Sequence, residues 1–348
     1  MDKIGCRVLI IGSGPAGASA AYHLSRLGEK NVLMIEKFSE KAYRRYQSIC
    51  GEAVSDRMMK RAGIETSHII RRVEAIEIVS KNASSTRIKV SGAIVDRAGM
   101  LEELISRSGV KRIRASLRTV SRRPEGGFVA HTSEGDIECD VIIGADGAHS
   151  TVRKCIFGTR PEQLVPVINA VVPGNSDGTL RFRMEAGDDG FYSWDFPSAE
   201  GKKSIGFKKG FGTIPIDSEH GARCIPIGRL PHAAQDGCFL AGDAAGLPNP
   251  LSYGGIGAAL VSGRKAAEAA ASGDWRRYDS WVDHDRAFDR RFMDAHRKVK
   301  LWTEEDIEVA MRPLSGNATI LKGFFAMLRH PRFARVYMAC WLGFRIGW

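Results

Sequence analysis

The alternation of apolar and polar positions at the start of the chain predicts a strand, a tight turn, a helix and a second strand. An apolar, mostly β-branched run at 8–11 enters a glycine turn, and an alanine-rich amphipathic stretch follows from Ala18 to Leu27. A second apolar run at 32–35 ends on Glu36. Short apolar runs on either side of a helical period are typical of a β-α-β unit.

The glycine turn of this unit has the spacing Gly-x-Gly-x-x-Gly, which is typical of dinucleotide-binding sites. Gly12 permits the turn, Gly14 lets the backbone approach a pyrophosphate, and Gly17 lets the helix lie close to the strand. The phosphates would lie at the helix N-terminus, where free N–H groups and the helix dipole favour anions. Glu36 is placed to accept hydrogen bonds from an adenosine ribose, so we expect a bound dinucleotide.

The rest of the chain alternates between strand-like and helix-like patterns. We expect a polar surface loop at 37–46 and a helix at 100–108, with strands at 73–79, 86–90, 110–114, 117–122 and 128–132. Short alternating runs over 166–209 predict antiparallel sheet. Buried strands at 140–143 and 238–241 each enter a glycine turn, the second is followed by an alanine-rich helix through Ala271, and the chain is helical from Trp275 onward.

These elements predict an α/β fold in which the nucleotide-binding domain is made from separated pieces. We expect a Rossmann-like domain at 1–72, 92–158 and 225–285, with an inserted antiparallel β-sheet substrate domain at 73–91 and 159–224. A helical C-terminal region is expected at 286–348. This arrangement explains why no clean linker divides the sequence.

Length and composition indicate which class of protein and which cellular compartment to expect. A chain of 348 residues is long enough to bury a substantial core. We recognise neither a secretory signal nor an apolar stretch long enough to cross a bilayer. The seven scattered cysteines give no disulfide framework and no Cys-x-x-Cys metal pair, so we expect no metal and a reducing cytoplasm.

The formal charge of +11 is compatible with nucleic acid, anionic lipid or an acidic partner. We recognise no nucleic-acid-binding module in the sequence, so we expect no nucleic-acid partner. Residues 319–348 combine aromatic side chains with basic ones and contain no acid; the basic residues are Lys322, Arg329, Arg332, Arg335 and Arg345. Two interpretations stay open: peripheral contact with the inner face of an anionic membrane, or a helical hairpin packed on the body with solvated arginines.

A second glycine-rich site points to the kind of dinucleotide. Gly242–Asp243 ends an apolar strand, and Gly254–Gly255–Ile256 opens the following helix. An acid at a strand end can bind a polyol hydroxyl, while a helix N-terminus favours negative charge on a nearby ring, as in a reduced flavin. Together with the turn at Asp146–Gly147, this predicts FAD rather than NAD. The alternative is an ordinary tight turn of an α/β sheet.

With these motifs the chain resembles the flavoprotein superfamily of aromatic hydroxylases and, within it, the geranylgeranyl reductase family, which includes digeranylgeranylglycerophospholipid reductases. The resemblance covers roughly residues 5 to 270. Its most discriminating part is Tyr192–Ser193–Trp194–Asp195–Phe196–Pro197, which resembles the family's Tyr-x-Trp-x-Phe-Pro signature. The other matching segments are Cys50–Gly51–Glu52–Ala53–Val54–Ser55, Asp96–Arg97, 144–150 with Val152–Arg153, and the Gly242–Asp243 stretch.

The resemblance implies which residues contact the flavin and the substrate. It implies FAD contacts at Ala16, Glu36, Cys50, Gly51, Ala53, Arg97, Val120, Asp243, Gly255 and Ile256, and it places Tyr192, Trp194 and Phe196 near an isoprenoid pocket. Core packing alone would also produce the alternating aromatics. The stretch between the Asp146 and Asp243 turns is short for the family, which leaves the size and identity of the substrate open.

The implied chemistry is reduction of an isolated prenyl double bond. Such a bond needs a hydride, which a reduced flavin supplies, and a proton from a positioned acid, in a tunnel that excludes water. Cys50 is a candidate proton relay, or else a packing contact. Tyr192 is a second candidate catalytic residue. Tyr253 precedes the glycines and can reach the ring, although a loop tyrosine needs no such role.

Two other functions compete with this one. A flavin-dependent monooxygenase or halogenase is an alternative because the halogenase signature is Trp-x-Trp-x-Ile-Pro; Tyr192 and Phe196 favour reduction instead. A flavin-bearing or lipid-binding protein without catalysis is the other. The sequence has no second nucleotide fingerprint, so the electron donor is external, and ferredoxin, reduced deazaflavin and NAD(P)H all stay open.

Overall fold

The computed structural model describes residues 4–348 except 83, 188 and 217. In chain order its first half contains β1 (Ile4–Ile11), α1 (Pro15–Arg26), β2 (Val32–Glu36), α2 (Glu40–Ser48), β3 (Ala53–Ser55), α3 (Asp56–Ala62), β4 (Ile69–Ser80), β5 (Ser85–Val95), α4 (Arg97–Ser108), β6 (Lys111–Arg114), β7 (Leu117–Arg122), β8 (Phe128–Thr132) and β9 (Gly135–Gly144).

The second half contains β10 (Gln163–Pro173), β11 (Thr179–Met184), β12 (Ser193–Pro197), β13 (Lys202–Lys208), β14 (Glu219–Ile227), β15 (Ala234–Gln235), β16 (Cys238–Leu240), α5 (Ile256–Ser272), α6 (Trp275–His284), α7 (Arg290–Val299), α8 (Glu304–Met311), β17 (Gly316–Asn317), α9 (Ile320–Arg329) and α10 (Ala334–Ile346).

The first sheet has the strand order β15-β16-β9-β1-β2-β6, and the β7-β8 hairpin joins it through β9. Strand β1 lies parallel to both neighbours, pairing Ile10 with Met34 of β2 and with Ile143 of β9. All five residues of β2 are buried, as expected for a parallel strand covered on both faces. The carboxyl ends of β1, β9 and β16 therefore meet at one edge, where ligands of open α/β sheets bind.

Helix α5 packs directly on α1. A Cβ at Gly263 would meet the backbone oxygen of Ala16, so the absence of a side chain lets the two helices approach closely. Both helices begin at the carboxyl edge of the first sheet. Their N-termini consequently face the same space.

The second sheet has the order β14-β10-β13-β12-β11-β4-β5-β17, with β3 added on β5. Most neighbours are antiparallel, and Trp194 of β12 lies opposite both Phe182 and Gly206. Strands β4 and β11 are parallel, with Leu180 beside Ile76. Strand β12 thus has a partner on each side, which holds its side chains in place over the cavity beneath.

Most of the predicted elements match the structure. Strands β7 and β8 have the predicted bounds, and α1 begins at Pro15, three residues earlier than expected, because proline is favoured in a helix's first turn. The mixed α/β fold with a helical C-terminal region is confirmed. The division into three domains stays a prediction; β4 begins at Ile69 and β5 ends at Val95, beyond the expected limits at 73 and 91.

The surface loop expected at 37–46 was wrong, because this segment contains α2. Ser39 caps the helix by accepting a hydrogen bond from the N–H of Ala42 at 3.4 Å. Tyr43 is buried and donates its hydroxyl proton to the carbonyl of Ser13 at 2.7 Å. One cap and one buried tyrosine therefore fix a helix whose other side chains are mostly polar.

The C-terminal helices close over the second sheet. Phe292 and Val299 of α7 pack with Val336 and Leu342 of α10 in one apolar cluster. Of the helices within the described ranges, none has both the length and the apolar character required to cross a bilayer. Helix α9 nevertheless exposes large apolar side chains, namely Ile320, Leu321, Phe324, Phe325 and Leu328.

Candidate active site

The glycine turn after β1 leaves open space where a phosphate would lie. Gly12 has φ +94°, and a Cβ there would lie 2.5 Å from the carbonyl oxygen of Ala145, so both conformation and space require glycine. Gly14 is the N-cap of α1 and makes no side-chain cap. A Cβ at Gly14 would meet nothing nearer than Gln47 Nε2 at 4.0 Å. The free N–H groups of α1 therefore face a cradle suited to an anion.

Glu36 lies at the end of β2 beside this turn. One carboxylate oxygen accepts hydrogen bonds from the N–H and hydroxyl of Ser13 at 3.1 and 2.7 Å, and the other accepts the N–H of Phe38 at 3.0 Å. Each carboxylate oxygen accepts about two hydrogen bonds, so the group fastens the turn and keeps acceptor capacity for a ribose. Gly17 lies behind the turn, where a Cβ would collide with the carbonyl oxygen of Gly12.

Asp146 stands at the carboxyl end of β9. One of its oxygens accepts the N–H groups of Thr151 and Val152 at 2.6 and 3.1 Å. The other, Oδ1, is buried and has no hydrogen-bond partner in the described part of the chain. Burial raises the pKa of this carboxyl above its usual range. Gly147, next to it, has φ +79° and a Cβ there would contact nothing, so this turn also lies open to the cavity.

Asp243 follows β16 and faces the N-terminus of α5. Burial raises its pKa to about 6, while the nearby guanidinium groups of Arg97 and Arg153 lower it. Within the described ranges its carboxylate accepts no hydrogen bond. Gly255, the N-cap of α5, makes no side-chain cap, and a Cβ there would lie 3.4 Å from an Asp243 oxygen. An unpaired carboxylate beside a free helix N-terminus suits a polyol and a ring that carries negative charge.

The segment 50–53 crosses from the first sheet to the second. Cys50 is half-buried, and its carbonyl accepts the hydroxyl of Ser204 at 3.3 Å. A Cβ at Gly51 would lie 2.9 Å from the ring of Phe196, so glycine lets this segment lie directly against β12. Ala53 begins β3, which pairs with β5. The predicted cofactor loop and the predicted signature strand are thus in contact.

Arg97 fastens the same segment from α4. Its Nε donates to the carbonyl of Gln47 at 2.8 Å, and its NH2 group donates to that of Tyr46 at 3.4 Å. These carbonyls belong to the last turn of α2, where a cation is favourable. The N–H of Arg97 donates to Glu52 Oε1 at 3.2 Å. Arg97 therefore orders the approach to Cys50 as well as contributing charge near Asp243.

Aromatic side chains form a wall of the cavity beside this segment. This aromatic wall contains Phe182 of β11, Tyr192 just before β12, and Trp194 and Phe196 of β12. The rings of Phe182 and Tyr192 lie 4.6 Å apart, and those of Trp194 and Phe196 lie 6.2 Å apart. A Cβ at Gly206 would overlap the Trp194 indole, so glycine makes room for it. Nε1 of Trp194 is buried without a hydrogen-bond partner among the described residues.

One cavity of about 1510 Å³ connects all of these features. It begins at Gly12 and Glu36, passes Asp243 and the aromatic wall, and ends beneath α9 and α10. Sites for a single small ligand have volumes of about 300–1,000 Å³. The cavity therefore has room for a dinucleotide and a second, apolar ligand. The glycine cradle, the buried unpartnered Oδ1 of Asp146 and the unpaired Asp243 fit FAD at one end.

Comparison with known proteins agrees with this geometry. Residues 5–173 match a family described as FAD binding domain. Digeranylgeranylglycerophospholipid reductase 1 of Methanosphaera stadtmanae is 29% identical over 307 residues, covering 76% of this chain and 74% of that protein. Geranylgeranyl diphosphate reductase of Rhodobacter capsulatus is 27% identical over 303 residues, covering 75% and 74%.

The chain is an FAD-dependent oxidoreductase whose sequence is similar to those of geranylgeranyl reductases. Among solved structures, a geranylgeranyl bacteriochlorophyll reductase-like protein from Thermoplasma acidophilum matches with a TM-score of 0.78 at 19% identity, covering 98% of this flavoprotein and 100% of that chain. That likeness confirms the fold.

Of the predicted cofactor-binding residues of this flavoprotein, some line the cavity and others do not. Most of them line the cavity: Gly12, Gly14, Ala16, Glu36, Cys50, Gly51, Ala53, Arg97, Asp146, Gly147, Asp243, Gly255 and Ile256. Val120 lies elsewhere, buried in the core of the first sheet, and Leu117 occupies the nearby cavity wall. Val120 pairs with Ala130 in the β7-β8 hairpin, and its predicted FAD contact stays a prediction. All four predicted substrate residues, Tyr192, Trp194, Phe196 and Tyr253, line the cavity.

Two buried titratable groups at this site, Glu52 and His296, were not predicted from the sequence. Glu52 is 8% exposed in a left-handed conformation, φ +53°, and burial raises its pKa to about 7. The sequence signal for Glu52 was an acidic residue within the segment 50–55, whose other residues are small or apolar. His296 is 1% exposed and contacts the Tyr253 hydroxyl from α7. No local pattern marks that histidine, because its partner is distant in sequence.

Proposed function

We propose that this flavoprotein saturates carbon–carbon double bonds in the isoprenoid chains of lipids or prenyl compounds. The observation that carries the proposal is the single cavity of about 1510 Å³, which joins the FAD cradle to an aromatic and apolar channel. When bound, reduced FAD supplies a hydride. The names of the relatives support the choice of an isoprenoid substrate, since they act on digeranylgeranylglycerophospholipid and geranylgeranyl diphosphate.

In this proposal the glycine turns and acids of the first sheet hold the cofactor. The backbone at Gly12 and Gly14 holds the pyrophosphate and Glu36 the ribose. Asp243 binds the polyol, and the N-terminus of α5 at Gly255 lies against the flavin ring. Asp146 offers its unpartnered Oδ1 as a further acceptor.

The aromatic wall orients the prenyl chain in this proposal. Tyr192, Phe196 and Tyr253 are buried, and they present ring faces on which an isoprenoid chain can pack. An apolar channel also keeps water from the reacting carbons. Cys50, the candidate proton relay, and Tyr192, the second candidate catalytic residue, both line the cavity. A Cys50→Ala variant with unchanged turnover would exclude the thiol.

The reaction is tested by single turnover under anaerobic conditions. The flavin of the purified protein is reduced chemically, prenyl lipids of different chain length are added, and products are analysed by mass spectrometry. We expect a mass gain of two hydrogens for each double bond reduced. Oxygen-dependent consumption of reduced flavin with an oxygenated or halogenated product would instead favour the monooxygenase or halogenase alternative, and an intact flavin without any product would favour a non-catalytic protein.

We also propose that the protein works at the surface of an anionic membrane. Leu321, Phe325 and Leu328 of α9 are 69%, 56% and 63% exposed. Neighbouring residues Ile320 and Phe324 line the cavity, so the exposed face adjoins its end. Basic side chains accompany this apolar face and no acid does in residues 319–348. Apolar insertion beside positive charge is how interfacial helices bind anionic lipid.

Vesicle sedimentation tests the membrane proposal. The Leu321→Ser/Phe325→Ser double variant should lose binding to anionic vesicles, because neither side chain lines the cavity and both are exposed. Leu301→Ser, which removes an 80% exposed leucine outside α9, is the matched control and should bind as before. Equal binding of wild type to neutral and anionic vesicles, or unchanged binding of the double variant, would contradict the proposal.

The electron donor is proposed to be external and transient. The sequence holds one Gly-x-Gly-x-x-Gly strand-turn-helix unit, which the FAD cradle uses. Ferredoxin, reduced deazaflavin and NAD(P)H are therefore to be compared directly, by the rate at which each bleaches the bound flavin anaerobically. Full bleaching by one donor at catalytic concentration identifies it.

A further inference from the structure

Tyr253 is held in an unusual backbone conformation next to the cofactor loop. Its φ is +50°, a left-handed value that is strained for a bulky residue. The N–H of Tyr253 donates to the carbonyl of Asn249 at 2.8 Å, and Asn249 Oδ1 accepts the N–H of Leu251 at 2.8 Å. The surrounding turn thus imposes the conformation. Strain of this kind concentrates where a side chain must be aimed.

The strained turn places Tyr253 where cofactor and chain meet. Gly254 and Gly255 follow it directly and open α5. Its ring centroid lies 4.4 Å from that of Phe191 and 5.6 Å from that of Tyr192. Tyr253 is 6% exposed and lines the cavity. It therefore belongs both to the flavin end and to the aromatic wall.

A buried histidine lies behind the Tyr253 hydroxyl. The hydroxyl oxygen is 3.2 Å from Nδ1 of His296, which is 1% exposed on α7, and 3.4 Å from the carbonyl oxygen of Gly190. Nε2 of His296 is 3.4 Å from Oε1 of Gln163, a half-buried residue at the start of β10. These contacts form a chain of polar groups from Tyr253, which lines the cavity, through buried His296 to half-buried Gln163.

Charged groups from several elements face His296. Lys300 and Arg297 lie on or next to its own helix, Glu162 precedes β10, and Asp189 lies in the loop before β12. Burial is the largest influence and lowers the pKa of His296 below its usual 6.5; Lys300 and Arg297 lower it too, whereas Glu162 and Asp189 raise it. The imidazole is therefore mostly neutral at pH 7, and its protonated form is a stronger acid than an exposed histidine.

We propose that Tyr253 is the proton donor of double-bond reduction and that His296 is the positioning residue that resupplies its proton. The inference rests on the proposed function. Reduced FAD, when bound, would supply a hydride, with both its electrons, to one alkene carbon. The other carbon uses the former π pair to take the proton of the Tyr253 hydroxyl. The Tyr253 oxygen then recovers a proton from Nδ1 of protonated His296, which is reprotonated from solvent past Gln163.

The hydroxyl of Tyr192, the other tyrosine of the aromatic wall, has no comparable source of protons. Tyr192 donates its hydroxyl proton to the backbone carbonyl of Ser252. A carbonyl has no proton to return, so Tyr192 cannot be recharged along that contact. The Tyr253 hydroxyl, in contrast, contacts a titratable group, the imidazole of His296.

The test compares Tyr253→Phe and His296→Gln with Tyr278→Phe. Tyr278 is a fully buried tyrosine that donates to the carbonyl of Leu240 at 2.7 Å and lies outside the cavity wall, so its variant controls for loss of a buried hydroxyl. We expect Tyr253→Phe to slow single-turnover saturation at least about 100-fold, as general acids contribute 10²–10⁴. Affinity for FAD and for the prenyl chain should stay unchanged, and Tyr278→Phe should react as the wild type does.

Two pH measurements separate proton supply from packing. The wild-type rate should fall as pH rises through the His296 pKa, below 6.5, and His296→Gln should remove this dependence. Independently of turnover, an NMR titration of the histidines in the FAD-loaded protein should show the His296 pKa displaced in Tyr253→Phe and unchanged in Tyr278→Phe.

Three results would overturn the proposal. A Tyr253→Phe protein that saturates the chain at the wild-type rate overturns it and leaves the proposed function standing. The same holds if its slower rate is matched by an equal loss of chain affinity, because that result shows packing alone. A wild-type protein that saturates no double bond overturns the proposed function, and this step with it.

Discussion

Single residues at the site have environments that their neighbours in sequence do not reveal. The glycine turn can be recognised in the sequence because its three glycines lie within six residues. The close approach of the Ala145 carbonyl oxygen to Gly12 comes from a strand that is distant in sequence. The Tyr253–His296 contact joins positions on two separate elements and has no local pattern. Val120 belongs to the β7-β8 hairpin and is buried in the core of the first sheet, so its predicted FAD contact stays a prediction.

The buried carboxyl of Glu52 predicts how the stability of the apoprotein depends on pH. Burial raises its pKa from 4.5 to about 7 in the folded protein, against the lowering effect of Arg97. Between these values the folded state holds the proton more tightly, so the free energy of unfolding should fall as pH rises from 4.5 to 7. Each pKa unit corresponds to about 1.4 kcal/mol, giving a decrease on the order of 3 kcal/mol.

Urea denaturation across that pH range measures this decrease in the free energy of unfolding. Glu52→Gln keeps an acceptor for the Arg97 N–H but cannot ionise. The free energy of unfolding of this variant should therefore fall less with rising pH, by the amount that Glu52 contributes. Asp243 should still produce its own decrease in the free energy of unfolding between pH 3.8 and about 6. Glu65→Gln, an exposed substitution, should follow the wild type. Parallel curves for Glu52→Gln and the wild type would contradict the assignment.

Gly206 predicts a residue-scale effect on the aromatic wall. A Cβ at this position would overlap the Trp194 indole, so Gly206→Ala should displace the ring and weaken prenyl-chain binding while FAD still binds. Tryptophan fluorescence and chain affinity report the change. Gly5→Ala is the matched control, because a Cβ at Gly5 meets nothing within 4 Å. Equal chain affinity in both variants would show that Trp194 does not shape the channel.

At the scale of elements, periodicity finds the buried strands and helices and fails where few side chains are buried. Helix α2 buries only Tyr43 and Gln47 among the residues of that helix. Two buried side chains give no apolar period, so the segment looks like a loop. The serine cap at Ser39 was a usable signal. Helix α2 is instead stabilised by contacts with Arg97 of α4 and with Ser13 in the turn after β1, both distant in sequence.

Arg97 predicts how α2 and the 50–53 segment depend on α4. Its guanidinium donates to two carbonyls at the end of α2, and a hydrogen bond from a charged group contributes about 1.5–3 kcal/mol. Arg97→Ala should therefore loosen the segment and weaken FAD binding about tenfold or more. Fluorescence titration of the apoprotein with FAD measures this. Arg107→Ala, on the same helix but outside the cavity wall, should bind FAD normally.

At the scale of the whole molecule, the two sheets and the C-terminal helices enclose one space that no single segment predicts. The parallel pairing of β4 with β11 brings together strands from separate parts of the chain. Helices α9 and α10 then cover the far end of the cavity, a long-range arrangement that local pattern cannot encode. From the sequence, these helices were expected to form either a membrane contact or a helical hairpin packed on the body. The structure buries part of α10 and exposes one face of α9.

The central claim is that a prenyl chain lies against the bound flavin in this one cavity. The most direct test is an anaerobic titration in which chemically reduced protein is mixed with a prenyl lipid and the visible absorbance of oxidised flavin is followed. We predict that the absorbance returns, with one double bond saturated for each flavin reoxidised. A reduced flavin that persists with every prenyl lipid, in a protein that binds those lipids, would contradict the account.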